Sequence, residues 1–132
     1  MSVRSLMAVA CGATAALALG VFPASAAPAA PVASCDGALV LWDNVSYNGT
    51  HLCFSSWESE GDLGKLPALP SGSLQDKTSS VQNFTNSAFC LFVDNGYSGD
   101  RFTIAAHTSI VDMRNPNPYW NDKISSVRSG SC

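Results

Sequence analysis

LWDNVSYNG at Leu41–Gly49 and LFVDNGYSG at Leu91–Gly99 are two versions of one phrase, set fifty positions apart. Each reads aromatic, four residues, Tyr, one residue, Gly: Trp42, Tyr47 and Gly49 in the first copy, Phe92, Tyr97 and Gly99 in the second. A second echo follows in the same order, QDKTSSV at Gln75–Val81 and NDKISSV at Asn121–Val127, offset by forty-six. Two matches in register at nearly one offset define an internal duplication. Gly49 to Ser79 spans thirty positions and Gly99 to Ser125 twenty-six, so one copy carries a four-residue difference in its connecting loop.

The phrases also specify local structure. ALVLW and AFCLF are short apolar runs bounded by Asp, Asn and Gly, which favours strands over helices. DNVSYNG and DNGYSG then supply turn residues, with Gly free to take a positive φ. In the returning segments Leu52 and Phe54 alternate with His51 and Cys53, as Phe102 and Ile104 alternate with Arg101 and Thr103. That period of two puts one face inward and one outward. Further strands are expected at Leu63–Leu66, Ser80–Phe84, Thr108–Met113 and Ile124–Arg128, and a turn or short helical turn in NPNPYWND. The expectation is an all-β domain of about eight short strands packed as a two-sheet sandwich.

Before Cys35 the chain reads differently. Arg4 precedes an uncharged Ala, Leu and Val run that ends at Ala24-Ser25-Ala26, the pattern of a secretory signal peptide over 1–26. APAAPVAS at 27–34 is a Pro and Ala tether without periodicity, leaving 35–132 for one domain, with copy one at about 37–84 and copy two at about 87–131. Cys11 falls inside the signal. Cys35, Cys53, Cys90 and Cys132 remain, and an even number in an exported chain reads as two disulfides. Three pairings are possible and sequence does not choose; one bridge in each half, Cys35 with Cys53 and Cys90 with Cys132, is the preferred arrangement. A zinc site is the competing reading, but no pair has close ligand spacing.

With Arg4 set aside, six Lys and Arg face ten Asp and Glu, a net charge of −4. That balance excludes nucleic acid as a natural partner, and removal of the signal leaves no membrane segment. The acidic cluster Glu58, Glu60 and Asp62 reads as a solvated loop. His51 and His107 are the only histidines, and neither a Gly-x-Ser-x-Gly elbow nor a His-Glu-x-x-His helix is present, so no catalytic residue is assigned. His51 falls on an outward strand position. Trp120 is assigned to the core of the second copy, and Trp57, between Ser56 and Glu58, to partner contact. Sequons at Asn44, Asn48 and Asn83 matter only in a glycosylating host.

The aromatic–Tyr–Gly phrase followed by the acidic or amide pair and the Ser pair resembles the βγ-crystallin Greek key, here in two copies spanning Gly37 to Ser131. The resemblance implies two Greek keys forming a sandwich, with the aromatic and the Tyr of each copy packed in a folded hairpin. A secreted, disulfide-braced domain of this kind is also similar to the actinobacterial metalloproteinase inhibitors, peptidase inhibitor family 36, which implies a monomeric, non-catalytic protein with a secreted metalloprotease as partner. No inhibitory residue carries over to a position here. A calcium-binding extracellular module without a protease partner, and a toxin-like or cell-wall-acting protein on the same scaffold, are the alternatives.

Microbial crystallin domains often bind calcium, and the repeated Ser motif is the one that does so. The resemblance implies coordination by Ser79 or Ser125, by the carbonyl of Lys77 or Lys123 from the other copy, and by hairpin carbonyls near Asp43 and Val93. Asp76, Asn121 and Asp122 would supply or orient further oxygens, the donors calcium prefers. Gln75 stands where the motif has Asn or Asp, so the two sites are expected to be unequal, with micromolar or weaker affinity. The same Ser and Asp residues would alternatively do no more than cap turns.

Overall fold

The computed structural model describes residues 35–115 and 117–132; the signal and tether assigned to 1–34 lie outside the described residues. Seven strands follow in order: β1 Leu39–Asn44, β2 Asn48–Phe54, β3 Ser80–Asn83, β4 Phe89–Asp94, β5 Ser98–Ile104, β6 Ser109–Ile110 and β7 Ser126–Ser129. They form two antiparallel sheets, ordered β2-β1-β3-β6 and β5-β4-β7. The hairpins β1–β2 and β4–β5 are superimposable in register, with Trp42 opposite His51 in one and Phe92 opposite Arg101 in the other. Each breaks register two residues later. The duplication seen in sequence is therefore a duplication of structure.

The copies exchange their third strands. β6 belongs to copy two but pairs with β3 of copy one, through Val81 and Ile110. Its counterpart Glu60 bridges Val127 of β7 in the other sheet, with hydrogen bonds of 2.8 and 2.9 Å. Inward residues of both sheets make one core: Leu39, Leu41, Leu52, Phe54 and Val81 meet Phe89, Leu91, Ile104 and Val127. The outward members of the period-two alternation, His51, Cys53, Arg101 and Thr103, are half-buried or exposed, as that alternation requires.

The expected strand at Leu63–Leu66 is a 3₁₀ turn, Leu63–Lys65. Four residues with apolar positions three apart fit either state, and the local chemistry decides: the Asp62 carboxylate accepts from Gly64 N at 2.9 Å, an N-cap. Its equivalent in copy two is the turn at 113–115, where the Asp112 carboxylate accepts from Arg114 N at 2.9 Å; a further 3₁₀ turn, Pro118–Trp120, capped by Asn117, lies where NPNPYWND was expected to turn. Ordered strand within Thr108–Met113 is confined to Ser109–Ile110, and the last strand begins at Ser126 rather than Ile124. Trp120 is half-buried, packed against the core and not inside it.

Asn83 ties the copies together where one passes into the other. Its side chain is 1% exposed; Nδ2 donates to the carbonyls of Ser87 and Ala105, both at 2.9 Å, and Oδ1 accepts from Thr85 N and Thr85 Oγ1. Two disulfides brace the ends, Cys35–Cys53 and Cys90–Cys132, with Cα separations of 5.5 and 4.9 Å. One bridge falls in each half, the preferred pairing.

Candidate functional site

The Ser motifs sit at two equivalent corners, and each corner is shared between copies. Asp76 and Asp122 both take left-handed backbone, φ 53° and 55°, a region that Asp enters more readily than bulky residues. Their amides cross: Asp76 N donates to Ile124 O at 3.1 Å and Asp122 N to Thr78 O at 3.0 Å. The side chains cross as well. Ser125 Oγ donates to Asp76 Oδ1 at 2.6 Å, and Ser79 Oγ to Asp122 Oδ1 at 3.0 Å. Ser79 N and Ser125 N are anchored on the carbonyls of Trp42 and Phe92, at 2.7 and 2.9 Å, which fixes the corners against the hairpins.

The second Ser of each motif has a different task. Ser80 Oγ donates to Asn44 O and Ser126 Oγ to Asp94 O, both at 2.6 Å; each accepts from the amide of its own copy's hairpin Tyr, Tyr47 or Tyr97, at 3.1 Å. These Tyr residues also have positive φ, so a buried hydroxyl holds each hairpin in its folded-back form. Beyond them, Gly49 and Gly99 have positive φ, and a Cβ there would run into Asp43 or Asp94. That explains the Gly of the phrase. Phe92 and Tyr97 meet edge-on with centroids 5.8 Å apart, as the folded hairpin implies, whereas the ring that meets Trp42 is His51, at 4.5 Å.

A cleft of about 510 Å³ opens beside the Asp76–Ser125 pair. Asp76, Asp94 and Asp122 line it with Val93 and Asn95, and Lys123 is its one cationic side chain. Carboxylate, hydroxyl and amide oxygens at one concave place fit a hard cation such as calcium. Gln75 has structural work there: Nε2 donates to Asn95 Oδ1 at 3.1 Å and Oε1 accepts from Gly64 N at 3.1 Å. Asp94 and Asn95 were not assigned from sequence, although they follow Val93 in the duplicated phrase. At the opposite corner Ser79 meets Asp122, and Lys77 shares the Ser79 segment. The Asp43 carboxylate accepts from Thr50 N at 2.8 Å through Oδ1, bracing β2. Asn121 caps the Pro118–Trp120 turn through its own amide and does not line the cleft.

The remaining candidates separate from this site. Trp57 is 78% exposed and flanks a second cleft near Cys53, Asp36 and Glu58. Ligand atoms of Cys35, His51 and Cys53 lie within 4.8 Å of one another, but a disulfide joins the two sulfurs and leaves no thiolate for zinc. His51 is half-buried against Trp42 instead of freely solvated, and His107 Nε2 lies 2.8 Å from Asn86 Oδ1.

Two Greek keys, exchanged third strands and serine-locked hairpins define a βγ-crystallin-like module. The model of peptidase inhibitor family I36 matches residues 86–131, which is the second copy, and the chain resembles that family on this fold. A structure described under the evolution of the eye-lens βγ-crystallin domain fold superimposes with a TM-score of 0.59 at 21% identity, covering 74% of this chain and 88% of the other. A βγ-crystallin from Ciona intestinalis gives 0.54 at 23% identity, covering 70% and 99%. A βγ-crystallin domain from Flavobacterium johnsoniae gives 0.54 at 23%, covering 68% and 90%. Among curated proteins none matches the chain by sequence.

Proposed function

We propose that the chain is a secreted, non-catalytic binding domain that inhibits a metalloprotease. The observation that supports this reading is the match of peptidase inhibitor family I36 to residues 86–131. Two disulfides and a single shared core give a rigid support, and rigidity lowers the ordering cost of binding. Trp57, exposed on its loop, is the aromatic side chain best placed to enter a partner's pocket. The purified chain is expected to inhibit a secreted zinc protease stoichiometrically, and Trp57→Ala to weaken it. Full protease activity at a large molar excess, across several such enzymes, would remove the reading.

A second reading, calcium binding at the crossed corners, is favoured by the Asp76–Ser125 and Asp122–Ser79 pairs. Asp76, Ser125, Asp94 and the carbonyls of Val93 and Lys77 would hold the ion at one corner; Asp122, Ser79 and the Lys123 carbonyl would do so at the other. A bound ion would neutralise the clustered carboxylates and join one copy to the other. Binding to the native state alone raises the melting temperature by mass action. Melting of the chain is expected to rise in millimolar calcium, and Asp76→Ala to remove part of the rise. An identical Tm in calcium and in excess chelator would end this reading without touching the first.

A further inference from the structure

The two copies differ in one covered edge. In copy one, residues 66–73 connect Lys65 to Leu74; in copy two, four residues, 116–119, make the equivalent connection between Asn115 and Trp120. The longer connection returns along β2. His51 N donates to Leu69 O at 2.8 Å and Leu69 N to His51 O at 2.9 Å, adding one extended residue to the sheet edge. Ala68, beside it, joins Leu52, Leu63 and Leu74 in the core.

The equivalent place in copy two is β5 and the apolar cleft next to it. Arg101 is the counterpart of His51 and faces Phe92 in the same register, so its N–H and C=O point outward. Among the described residues nothing pairs with that edge. The cleft, of about 270 Å³, is lined by Phe102, Met113 and Trp120, the counterparts of Leu52, Leu63 and Leu74, together with Ile110 and Asn115. Trp120 fills part of the space from one side, its ring 4.7 Å from Phe102. An outward edge beside an apolar slot is the arrangement that accepts an added strand.

We propose that β5 and the Phe102–Met113–Trp120 cleft form a docking site for an extended apolar peptide segment of a partner protein, paired at Arg101 and seating one small apolar side chain in the cleft. The chain itself displays the fitting chemistry, because Leu-Pro-Ala-Leu-Pro at 66–70 occupies the matching position in copy one. A charged residue on an edge opposes pairing with an identical copy, so Arg101 argues for a foreign segment over a second copy of this chain. The proposal does not rest on the protease reading.

The test uses the isotope-labelled full chain and a synthetic peptide Leu-Pro-Ala-Leu-Pro-Ser-Gly, copied from 66–72, followed by amide and Trp indole shifts. Saturable shifts are expected at Ser98–Ile104 and at the Trp120 indole. Arg101→Pro removes the outward donor at an edge position where proline is tolerated, and is expected to weaken binding about tenfold. Asn115→Trp, which plugs the cleft from its exposed side, tests the same site if the proline variant fails to fold. The proposal is overturned by no shift at β5 with millimolar peptide, by shifts confined to other surfaces, or by unchanged affinity in a folded variant. Concentration-dependent shifts at β5 without peptide, or an Arg101 amide already protected from exchange, would assign the edge to a second copy or to the chain's own residues instead, and would equally overturn it.

Discussion

Replacing Ser126 by Ala should unlock the second hairpin and show which Ser of the motif maintains the fold. The hydroxyl is fully buried, donates to Asp94 O at 2.6 Å and accepts from Tyr97 N at 3.1 Å. Its removal loses two hydrogen bonds worth about 1 kcal/mol each and leaves the Asp94 carbonyl and the Tyr97 amide without that partner, for a cost of about 2–3 kcal/mol. In a domain of this size that lowers Tm by about 10–20 °C. Ser80 makes the same two bonds in copy one, at the same distances, so Ser80→Ala should cost as much. Ser125→Ala and Ser79→Ala remove only a contact to a carboxylate at the rim and, without calcium, should cost about 1 kcal/mol or less. Urea and thermal unfolding of the four variants in chelator would measure the contrast. The reasoning fails if Ser80→Ala or Ser126→Ala unfolds within about 0.5 kcal/mol of the parent, or if the rim variants are the costlier pair.

Thr78 is fully buried and its Oγ1 has no hydrogen-bond partner among the described residues, whereas Ile124 stands at the same place in copy two. Thr78→Val should therefore stabilise the chain by about 1 kcal/mol, and a lower urea midpoint would contradict this. The Cys90–Cys132 bridge closes 42 residues and the Cys35–Cys53 bridge 18, so paired Ser replacements should cost about 4 and about 3 kcal/mol, in that order, by denaturant titration. The phenol of Tyr119 donates to Asp100 Oδ2 at 2.7 Å, which raises its pKa above the ordinary 10.0 because the hydrogen bond favours the protonated form. Its contribution to stability is present below the ordinary tyrosine value and lost as pH climbs through the raised one. Asp100→Asn should bring the Tyr119 phenolate transition back down, read by absorbance against Tyr119→Phe; an unmoved midpoint would refute the assignment.

The fold was legible wherever a short phrase carried its own turn chemistry. LWDNVSYNG and LFVDNGYSG place strand, left-handed Tyr and crowded Gly within nine residues, and both hairpins formed as read. The strand expected at Leu63–Leu66 is a 3₁₀ turn because spacing alone does not separate the two states when an Asp cap and a Gly decide the outcome. At the candidate site, the crossed Asp76–Ser125 and Asp122–Ser79 pairs agree with the duplicated motif. The use of Gln75 as a bracket between Gly64 and Asn95, and of the Asp43 carboxylate as a strand brace, depends on long-range approaches that no local pattern encodes. The Asn83 tie between copies was hidden for the same reason, reading in sequence as one more sequon.

The exchange of third strands has a consequence for how this protein can be divided. β6 is encoded in the second half yet completes the first half's sheet, and Glu60 returns the favour to β7. Each half carries a segment, β6 in one and the Glu60 bridge in the other, that pairs within its sibling's sheet. A chain interrupted between the copies would yield two fragments that need one another to finish their sheets, the behaviour of a split reporter whose halves reconstitute only on meeting. The duplication is thus better regarded as an obligate pair sharing a single polypeptide than as two small domains in tandem.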